Sequence, residues 1–373
     1  MISFWEKQSL FETDVAIIGG GIVGLSVAAS IKERWPQREV MVFERSMVPY
    51  GASTRNAGFA CFGSLTEVIS DIKIMGGEKA RELLFNRWIG LKITRQRLTD
   101  ERIGFQPLGG FELLKSGHLG ALEQMDAVNG LVSDFIPKYV EEVRDGCGLG
   151  IRLVETDRIV SMRDEGQLDT GLLMKNLEQY AIELGVKIRT GASVESIDSN
   201  GDFHHVEVGD GVRSLQRFKA KEVVLCSNAF AASLKPELDV VPGRGQVLIT
   251  KPIPELEFRG NLHLDEGFYY LRNVGDRILF GGGRNLDFRG ETTMEFEFND
   301  SIQNELDKKL DDLFAFKKSP EIDMRWSGIM AFGKHKEPIV QRDSTGILLA
   351  LRMSGMGIAL AGQVGEMIAD LMD

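Results

Sequence analysis

Residues 14–44 read DVAIIGGGIVGLSVAASIKERWPQREVMVFE, and this segment predicts a strand, a glycine turn, a helix and a second strand. Residues 15–18 form a short apolar run, which is typical of a parallel strand that is buried on both faces. A helix is predicted over residues 22–32, and residues 40–43 form the next apolar run. The order strand, helix, strand favours an α/β fold that begins with a βαβ unit.

The glycines between the first strand and the helix follow the spacing G-x-G-x-x-G. Gly19 permits the tight turn, Gly21 lets a pyrophosphate approach the backbone, and Gly24 lets helix and strand pack closely. Free N–H groups at the helix start bind the diphosphate. Glu44 follows the second strand, where a carboxylate accepts hydrogen bonds from a ribose. We therefore predict a dinucleotide site, and the motif alone does not choose between NAD and FAD.

The composition excludes several classes of function. The 373 residues include 42 glycines and only 10 prolines, which excludes collagen and proline-rich disorder because both need the two together. Asp and Glu number 55 against 44 for Lys and Arg, and the net charge is −11. An acidic surface repels phosphate groups, so we expect neither a nucleic-acid partner nor binding to an anionic membrane surface. The length allows two or three domains.

The cysteines, the histidines and the long apolar segment predict a cytoplasmic protein without a metal site. Three cysteines do not make a disulfide framework, and the five histidines lack the spacing of metal ligands. Residues 15–31 carry no charge, close to the lower limit for a spanning helix. Glu12 and Asp14 before this segment, and the three consecutive glycines within it, argue against a signal peptide or a membrane helix. We therefore expect no integral membrane segment.

Three further segments carry a family resemblance. Residues 51–64 read GASTRNAGFACFGS, a small and glycine-rich segment directly after the acidic residue. Residues 169–197 predict a capped helix followed by two strands, with GVKI and VESI in the strands. Near the end, WSG at 326–328 and SGMG at 354–357 precede a predicted helix over 358–372. Together these segments resemble the FAD-dependent D-amino acid oxidase superfamily, especially its glycine oxidase and sarcosine oxidase branch.

The resemblance implies an α/β chain with a discontinuous Rossmann-type FAD-binding domain and a second, α+β substrate domain built on an antiparallel sheet. The FAD-binding domain would comprise residues 1–75, 150–232 and 330–373, and the substrate domain residues 76–149 and 233–329. FAD would be bound non-covalently, because Asn56 stands where dimethylglycine dehydrogenase-like members attach it through a histidine. The implied FAD-binding residues are Gly19, Gly21, Ile22, Val23, Gly24, Glu44, Arg45, Ser53, Thr54, Arg55, Asn56, Ala57, Gly58, Val194, Ser227, Asn228, Gly355, Met356, Gly357 and Ile358.

The implied activity is oxidation of a C–N bond of an amino acid or amine by hydride transfer to flavin N5. The product is an imine that hydrolyses, and oxygen or another acceptor takes the electrons. Glycine oxidase-like members hold the substrate carboxylate with an arginine where this chain has Met330, and a second arginine of theirs falls on Ser354 or Gly355. The remaining candidates for substrate binding and catalysis are Arg244, Tyr269, Tyr270 and Arg352.

Tyr269 and Tyr270 would point to opposite faces of their strand, so at most one of them lines the substrate pocket. The missing arginines leave other readings open: a flavoprotein that oxidises hydroxy acids, or a non-catalytic FAD-binding protein. A tRNA-modifying oxidase is disfavoured by the net charge, and a NAD-binding protein by the three family segments.

Overall fold

Two eight-stranded sheets organise the structure, which is a computed structural model. It describes residues 3–143, 149–155, 157–209, 211, 215–314, 316 and 318–373. Within them the helices are α1 (Phe4–Ser9), α2 (Ile22–Arg34), α3 (Leu65–Met75), α4 (Gly77–Leu98), α5 (Met125–Val132), α6 (Thr170–Glu183), α7 (Asp300–Leu313) and α8 (Gly357–Asp370). The strands are β1 (Glu12–Ile18), β2 (Val40–Phe43), β3 (Phe59–Ala60), β4 (Gly110–Leu114), β5 (Glu141–Val143), β6 (Arg158–Met162), β7 (Gly166–Gln167), β8 (Lys187–Arg189), β9 (Ser193–Asn200), β10 (Phe203–Gly209), β11 (Gln216–Leu225), β12 (Val241–Thr250), β13 (Asn261–Leu264), β14 (Tyr269–Val274), β15 (Arg277–Gly282), β16 (Ile322–Phe332), β17 (Ile339–Arg342) and β18 (Leu348–Leu351).

The first sheet has a parallel centre with the order β18, β11, β1, β2, β8. β17 extends it antiparallel to β18. β10 pairs antiparallel with the first half of β11, and β9 pairs antiparallel with β10. Its central strand β1 is buried on both faces, as the apolar run at 15–18 predicts. Val15 and Ile17 pack in the core with α2 and α8, while Ala16 and Ile18 pack in a second core on the opposite face.

The second sheet has the order β16, β12, β15, β14, β13, β4, β6, β5. Its pairs are antiparallel except β13 with β4. α7 covers one face, where Ile302, Leu306 and Leu310 join the core formed by Leu271 and Phe280. A parallel-centred sheet beside a largely antiparallel one confirms the predicted fold class.

Strands far apart in the chain meet in each sheet, so neither sheet is built from one continuous segment. β6 (Arg158–Met162) pairs with β4 and β5 in the second sheet, although residues 150–232 were expected in the FAD-binding domain. We infer that the middle FAD-binding segment starts after β6, near residue 166. Among the described residues, none of the helices combines the length and the apolar character needed to cross a bilayer.

Candidate cofactor and substrate site

A cavity of about 480 Å³ lies where the strand ends of the first sheet meet one face of the second. Its lining includes Ile18 and Phe43 at the ends of β1 and β2, and Val247 and Tyr270 from the second sheet. The starts of α2 and α8 also reach it. Ligands of open α/β sheets bind at this edge, outside the carboxyl ends of the parallel strands.

Gly24 fixes the contact between α2 and the turn that follows β1. A Cβ atom on Gly24 would lie 1.9 Å from the Gly19 carbonyl oxygen, a distance that no real side chain tolerates. Gly19 itself has φ of +109°, which favours glycine. Gly24 lies outside the cavity lining and acts through packing, in the role that the motif assigns to its third glycine.

The start of α2 and the carboxylate of Glu44 meet at the cavity. Gly21 is the N-cap residue of α2 and has no side chain with which to cap it. The Ile22 N–H donates to Ser53 Oγ at 2.9 Å, and the Gly20 N–H donates to Glu44 Oε2 at 2.9 Å. Glu44 is buried and lines the cavity. Donors and an acceptor are thus placed as a diphosphate and a ribose require.

Asn56 holds the glycine-rich loop in shape. Its Oδ1 accepts from the Gly58 N–H and from Thr170 Oγ1, each at 2.8 Å, and its Nδ2 donates to the Ser53 carbonyl at 2.8 Å. The side chain lines the cavity with its amide fully engaged, which makes Asn56 a support for the loop. Thr54 lies outside the lining, and its hydroxyl donates to the Pro49 carbonyl.

A strained loop leads into α8 at the cavity. Arg352, Ser354 and Gly355 have φ of +63°, +50° and +85°. Met356, the N-cap residue, makes no capping hydrogen bond within the described part of the chain, so the first N–H groups of α8 are left for a ligand. Asn228 has φ of +48°, a value that asparagine tolerates better than most other non-glycine residues, and its Oδ1 accepts from the Arg352 N–H at 3.1 Å.

These residues fit FAD. Two helix starts without a capping side chain face one elongated cavity, which suits a diphosphate and an anionic flavin edge. The buried Ser227 Oγ in its lining has no hydrogen-bond partner among the described residues. Of the residues that the resemblance implies, those that line the cavity are Gly19, Gly21, Ile22, Val23, Glu44, Arg45, Ser53, Arg55, Asn56, Ala57, Gly58, Val194, Ser227, Asn228, Gly355, Met356, Gly357 and Ile358.

Two of the four substrate-binding candidates point away from the cavity because they form ion pairs elsewhere. Arg244 lies on the opposite face of β12, where its Nη2 and Nε donate to Glu291 at 2.8 and 3.0 Å. Arg352 donates to Asp239 Oδ2 at 2.6 Å and to the Glu337 carbonyl at 3.0 Å. Neither guanidinium lines the cavity, because each is paired with a carboxylate on the side away from the cavity.

The two tyrosines separate as their strand position predicts. Tyr269 is buried in the core of the second sheet, where its ring contacts Phe280. Tyr270 faces the cavity, and burial raises its pKa to about 12, so its hydroxyl stays protonated. Tyr270 is therefore the one of these two tyrosines that the structure brings to the site.

Sequence reasoning missed charged residues in the lining that no local motif marks. Glu67 and Lys336 both line the cavity, and Lys336 Nζ lies 3.8 Å from Glu67 Oε1 and 2.6 Å from Asp71 Oδ1. Burial opposes ionisation of Glu67, but Lys336 and Arg87 outweigh it and hold the pKa of that carboxyl below its usual value. An ionised carboxylate therefore stands beside the cavity.

Cys61, Glu165 and His263 form a buried cluster that spacing in the sequence could not show. Their ligand atoms lie within 4.8 Å of one another, and Cys61 and His263 line the cavity. Glu165 Oε1 already accepts from the Phe62 N–H at 2.8 Å. Burial opposes protonation of His263, but Glu165 outweighs it and raises the pKa of the imidazole. Burial raises the pKa of the Cys61 thiol, which stays protonated.

Arg284 also lines the cavity and was not among the expected site residues. It directly follows Gly281, Gly282 and Gly283, a run of three glycines that the cofactor motifs do not explain. A glycine run at the end of a strand was therefore the signal for it.

Comparison with known proteins agrees with this geometry. The family model described as FAD dependent oxidoreductase matches residues 14–371. The gamma-glutamylputrescine oxidoreductase of Escherichia coli K12 is 25% identical over 384 residues, covering 96% of this chain and 83% of that protein.

Two solved structures have the same fold. The L-proline dehydrogenase of P. horikoshii has a TM-score of 0.80 at 18% identity, covering 97% of this chain and 93% of that one. The glycine oxidase of Geobacillus kaustophilus has a TM-score of 0.77 at 22% identity, covering 97% and 94%. The family match spans nearly the whole described chain, and the cavity offers the groups that FAD needs. This chain therefore belongs to the FAD-dependent oxidoreductase family of the D-amino acid oxidase type.

Proposed function

We propose that this protein oxidises a C–N bond of an amino acid or amine, giving an imine that water hydrolyses. The observation that carries the proposal is the cavity of about 480 Å³ to which both the strand ends of the first sheet and one face of the second sheet contribute. The names of the relatives, which include an oxidoreductase of gamma-glutamylputrescine and a glycine oxidase, support a nitrogen-containing substrate.

The first sheet and its helices would hold FAD. Gly19, Gly21 and Ile22 would surround the diphosphate, Glu44 would accept from the ribose, and the start of α8 would face the flavin. When bound, FAD supplies the two-electron acceptor, which takes the hydride from the substrate carbon. Asn56 keeps the loop over residues 51–58 in place through its four-way hydrogen bonding.

The second sheet would orient the substrate and exclude water. Tyr270 and Met330 present apolar surface to the cavity from its strands, and Phe268 adds a third apolar group. Apolar walls with few polar groups are typical of sites that bury most of a small ligand. The ionised Glu67 attracts the cationic form of an amine, and the substrate nitrogen must lose its proton before or during hydride loss.

Anaerobic reduction of the bound flavin tests the proposal. The purified holoenzyme is mixed without oxygen with a panel of amino acids, primary and secondary amines, and hydroxy acids, and the visible absorbance is followed. We expect at least one amine or amino acid to bleach the flavin, with imine or carbonyl product in equal amount. Bleaching by hydroxy acids alone would select the hydroxy-acid alternative, and no bleaching by any nitrogen compound would reject the proposal.

The electron acceptor is identified with the same preparation, by following reoxidation of the reduced flavin. Reoxidation of the reduced enzyme by oxygen at a rate that supports turnover identifies an oxidase. Reoxidation only by an artificial acceptor identifies a dehydrogenase. Either result is compatible with the proposed C–N oxidation, because the reductive half-reaction is measured separately.

A further inference from the structure

Arg284 is placed at the cavity by a turn that only glycine can make. Gly282 and Gly283 have φ of +126° and +78°, and a Cβ atom on Gly282 would lie 2.1 Å from the Phe268 carbonyl oxygen. β15 ends at Gly282, and the chain turns so that the Arg284 side chain enters the cavity lining. The glycine run is thus explained by the placement of one arginine.

The Arg284 guanidinium lacks an anionic partner within the described chain. Its Nε is buried and has no hydrogen-bond partner among the described residues. Burial lowers the pKa of this guanidinium, and the attraction of Glu291 only partly offsets it. The Glu291 carboxylate is already engaged by Arg244 at 2.8 Å. A half-buried guanidinium with free donors favours an anion as its hydrogen-bond partner.

Aromatic rings support the Arg284 side chain. Its Cζ lies 4.1 Å from the ring centre of Phe332 and 5.2 Å from that of Phe288. Stacking on rings fixes the plane of a guanidinium while leaving its N–H groups free at the edge. Such an arrangement is suited to bidentate recognition of a carboxylate.

Two other cations of the lining, Arg55 and Lys336, are engaged by protein oxygen atoms. Arg55 donates to the Ser327 carbonyl at 2.8 Å, and Lys336 pairs with Asp71 at 2.6 Å. Arg45 follows Glu44 in sequence and stacks on the ring of Phe230 at 3.7 Å, on the side where the ribose is expected. Among the lining arginines of the described chain, neither Arg284 nor Arg45 pairs with a carboxylate, and Arg45 lies on the side where the ribose is expected. Arg284 is therefore the arginine that remains for a substrate anion.

The position of Arg284 adjoins that of Met330. Gly243 on β12 pairs with Met330 on β16, and a Cβ atom on Gly243 would lie 2.9 Å from Arg284 Cζ. Arg284 thus covers the strand position next to Met330, where the family resemblance expects an arginine. On the neighbouring strand, Tyr270 covers Gly281 and brings its hydroxyl to the same face.

We propose that Arg284 binds the carboxylate of the substrate, so that amino acids rather than simple amines are the substrate class. The proposal rests on the proposed function for the reaction, but the anion site is a property of Arg284 alone. The resemblance expects the carboxylate-binding arginine at the position of Met330, in the middle of β16. Here Arg284, in the turn after β15, would place the positive charge at the same face of the second sheet.

Binding of a non-oxidisable carboxylate tests the proposal without turnover. The holoenzyme is titrated with propionate and, separately, with propionamide, and the change in flavin absorbance gives each Kd. We expect propionate to bind at least about tenfold more tightly than propionamide, because only the carboxylate pairs with a guanidinium. Arg284→Met is expected to raise the Kd of propionate by about 10- to 100-fold and leave that of propionamide within about twofold.

Two further variants keep the result decisive. Arg284→Lys keeps the charge but loses the fork, and its Kd for propionate is expected between those of wild type and Arg284→Met. Arg289→Met removes an exposed arginine of the same segment outside the lining and is expected to bind propionate as wild type does. Retained flavin colour shows that each variant has folded.

The proposal is overturned if wild type does not distinguish propionate from propionamide, or if Arg284→Met and Arg284→Lys both bind propionate like wild type. These outcomes are separable from failure of the proposed function. Propionate binding through Arg284, with no flavin reduction by nitrogen compounds, would reject the reaction and keep the anion site. Flavin reduction by amines, together with propionate binding that does not depend on Arg284, would keep the reaction and reject the anion site.

Discussion

At the scale of single residues, the site depends on positions where one added atom cannot be accommodated. Gly24 is the clearest, since a Cβ atom built on it would lie only 1.9 Å from the Gly19 carbonyl oxygen. We expect Gly24→Ala to push α2 away from the turn and to destabilise the protein by about 1–3 kcal/mol, as overpacking does. FAD content after purification and the midpoint of thermal unfolding measure both effects.

Gly130 in α5 supplies the matched control. A Cβ atom there meets no other atom within 4 Å, so Gly130→Ala fits without a clash. It is expected to keep full FAD content and to stabilise the helix by roughly 0.5–1 kcal/mol. Equal FAD content in Gly24→Ala and Gly130→Ala would contradict the packing role of Gly24.

At the scale of elements, α4 and α8 cross at a pair of glycines. A Cβ atom on Gly90 would lie 2.3 Å from the Ala359 carbonyl, and one on Gly362 would lie 2.3 Å from the Gly90 carbonyl. Since α8 begins at the cavity, we expect Gly362→Ala to displace that helix start. The predicted result is lower stability by about 1–3 kcal/mol and weaker FAD binding, measured by thermal unfolding and by titration of the apoprotein.

Gly77→Ala is the control for this crossing. Gly77 opens α4, and a Cβ atom there lies at an ordinary 3.8 Å from Leu131 Cδ1. Its FAD affinity should equal that of wild type. An FAD affinity of Gly362→Ala that matches this control would show that the helix crossing does not position the start of α8.

At the scale of the whole molecule, the buried His263 couples folding to pH. Burial alone would lower its pKa, but Glu165, Glu112 and Glu67 raise it above the ordinary value. A histidine whose pKa is raised on folding stabilises the protein below its unfolded pKa of about 6.5, and this contribution is lost as pH rises through the folded pKa. We therefore expect the stability gap between wild type and His263→Gln to be larger near about pH 5.5 than near about pH 8.5.

Thermal unfolding of the holoenzymes across this range measures the gap. His335→Gln removes an exposed histidine and serves as the matched control for the substitution itself. A gap for His263→Gln that stays constant or widens with rising pH would contradict the raised pKa.

The sequence predicted the parts of the fold and site that local chemistry determines. The G-x-G-x-x-G turn, β1 and α2 follow from residue types close together in the chain. The substrate side did not follow in this way. Arg244 lies on β12 of the second sheet, as a carboxylate-binding arginine could. Side chains alternate between the two faces of a strand, however, and Arg244 pairs with the distant Glu291 on the face away from the cavity.

Arg284 also illustrates what local sequence cannot predict, since the glycine run before it does not show that it reaches the cavity. Its local sequence gives a turn, and only the pairing of β12 with β16 and β15 brings it over Gly243 beside Met330. The cluster of Cys61, Glu165 and His263 likewise depends on three segments from distant parts of the chain. Long-range pairing, which one sequence does not reveal, decides these contacts.

The strand order of the first sheet has a consequence for synthesis. β1 and β2 leave the ribosome first, but their neighbours β11 and β18, and the helix α8 that packs on α2, come from much later in the chain. The start of α8 is one wall of the cofactor cavity. Binding of FAD must therefore follow translation of residues 357–370. Until then the apolar strands of the earlier segments stay exposed, unless chaperones bind them.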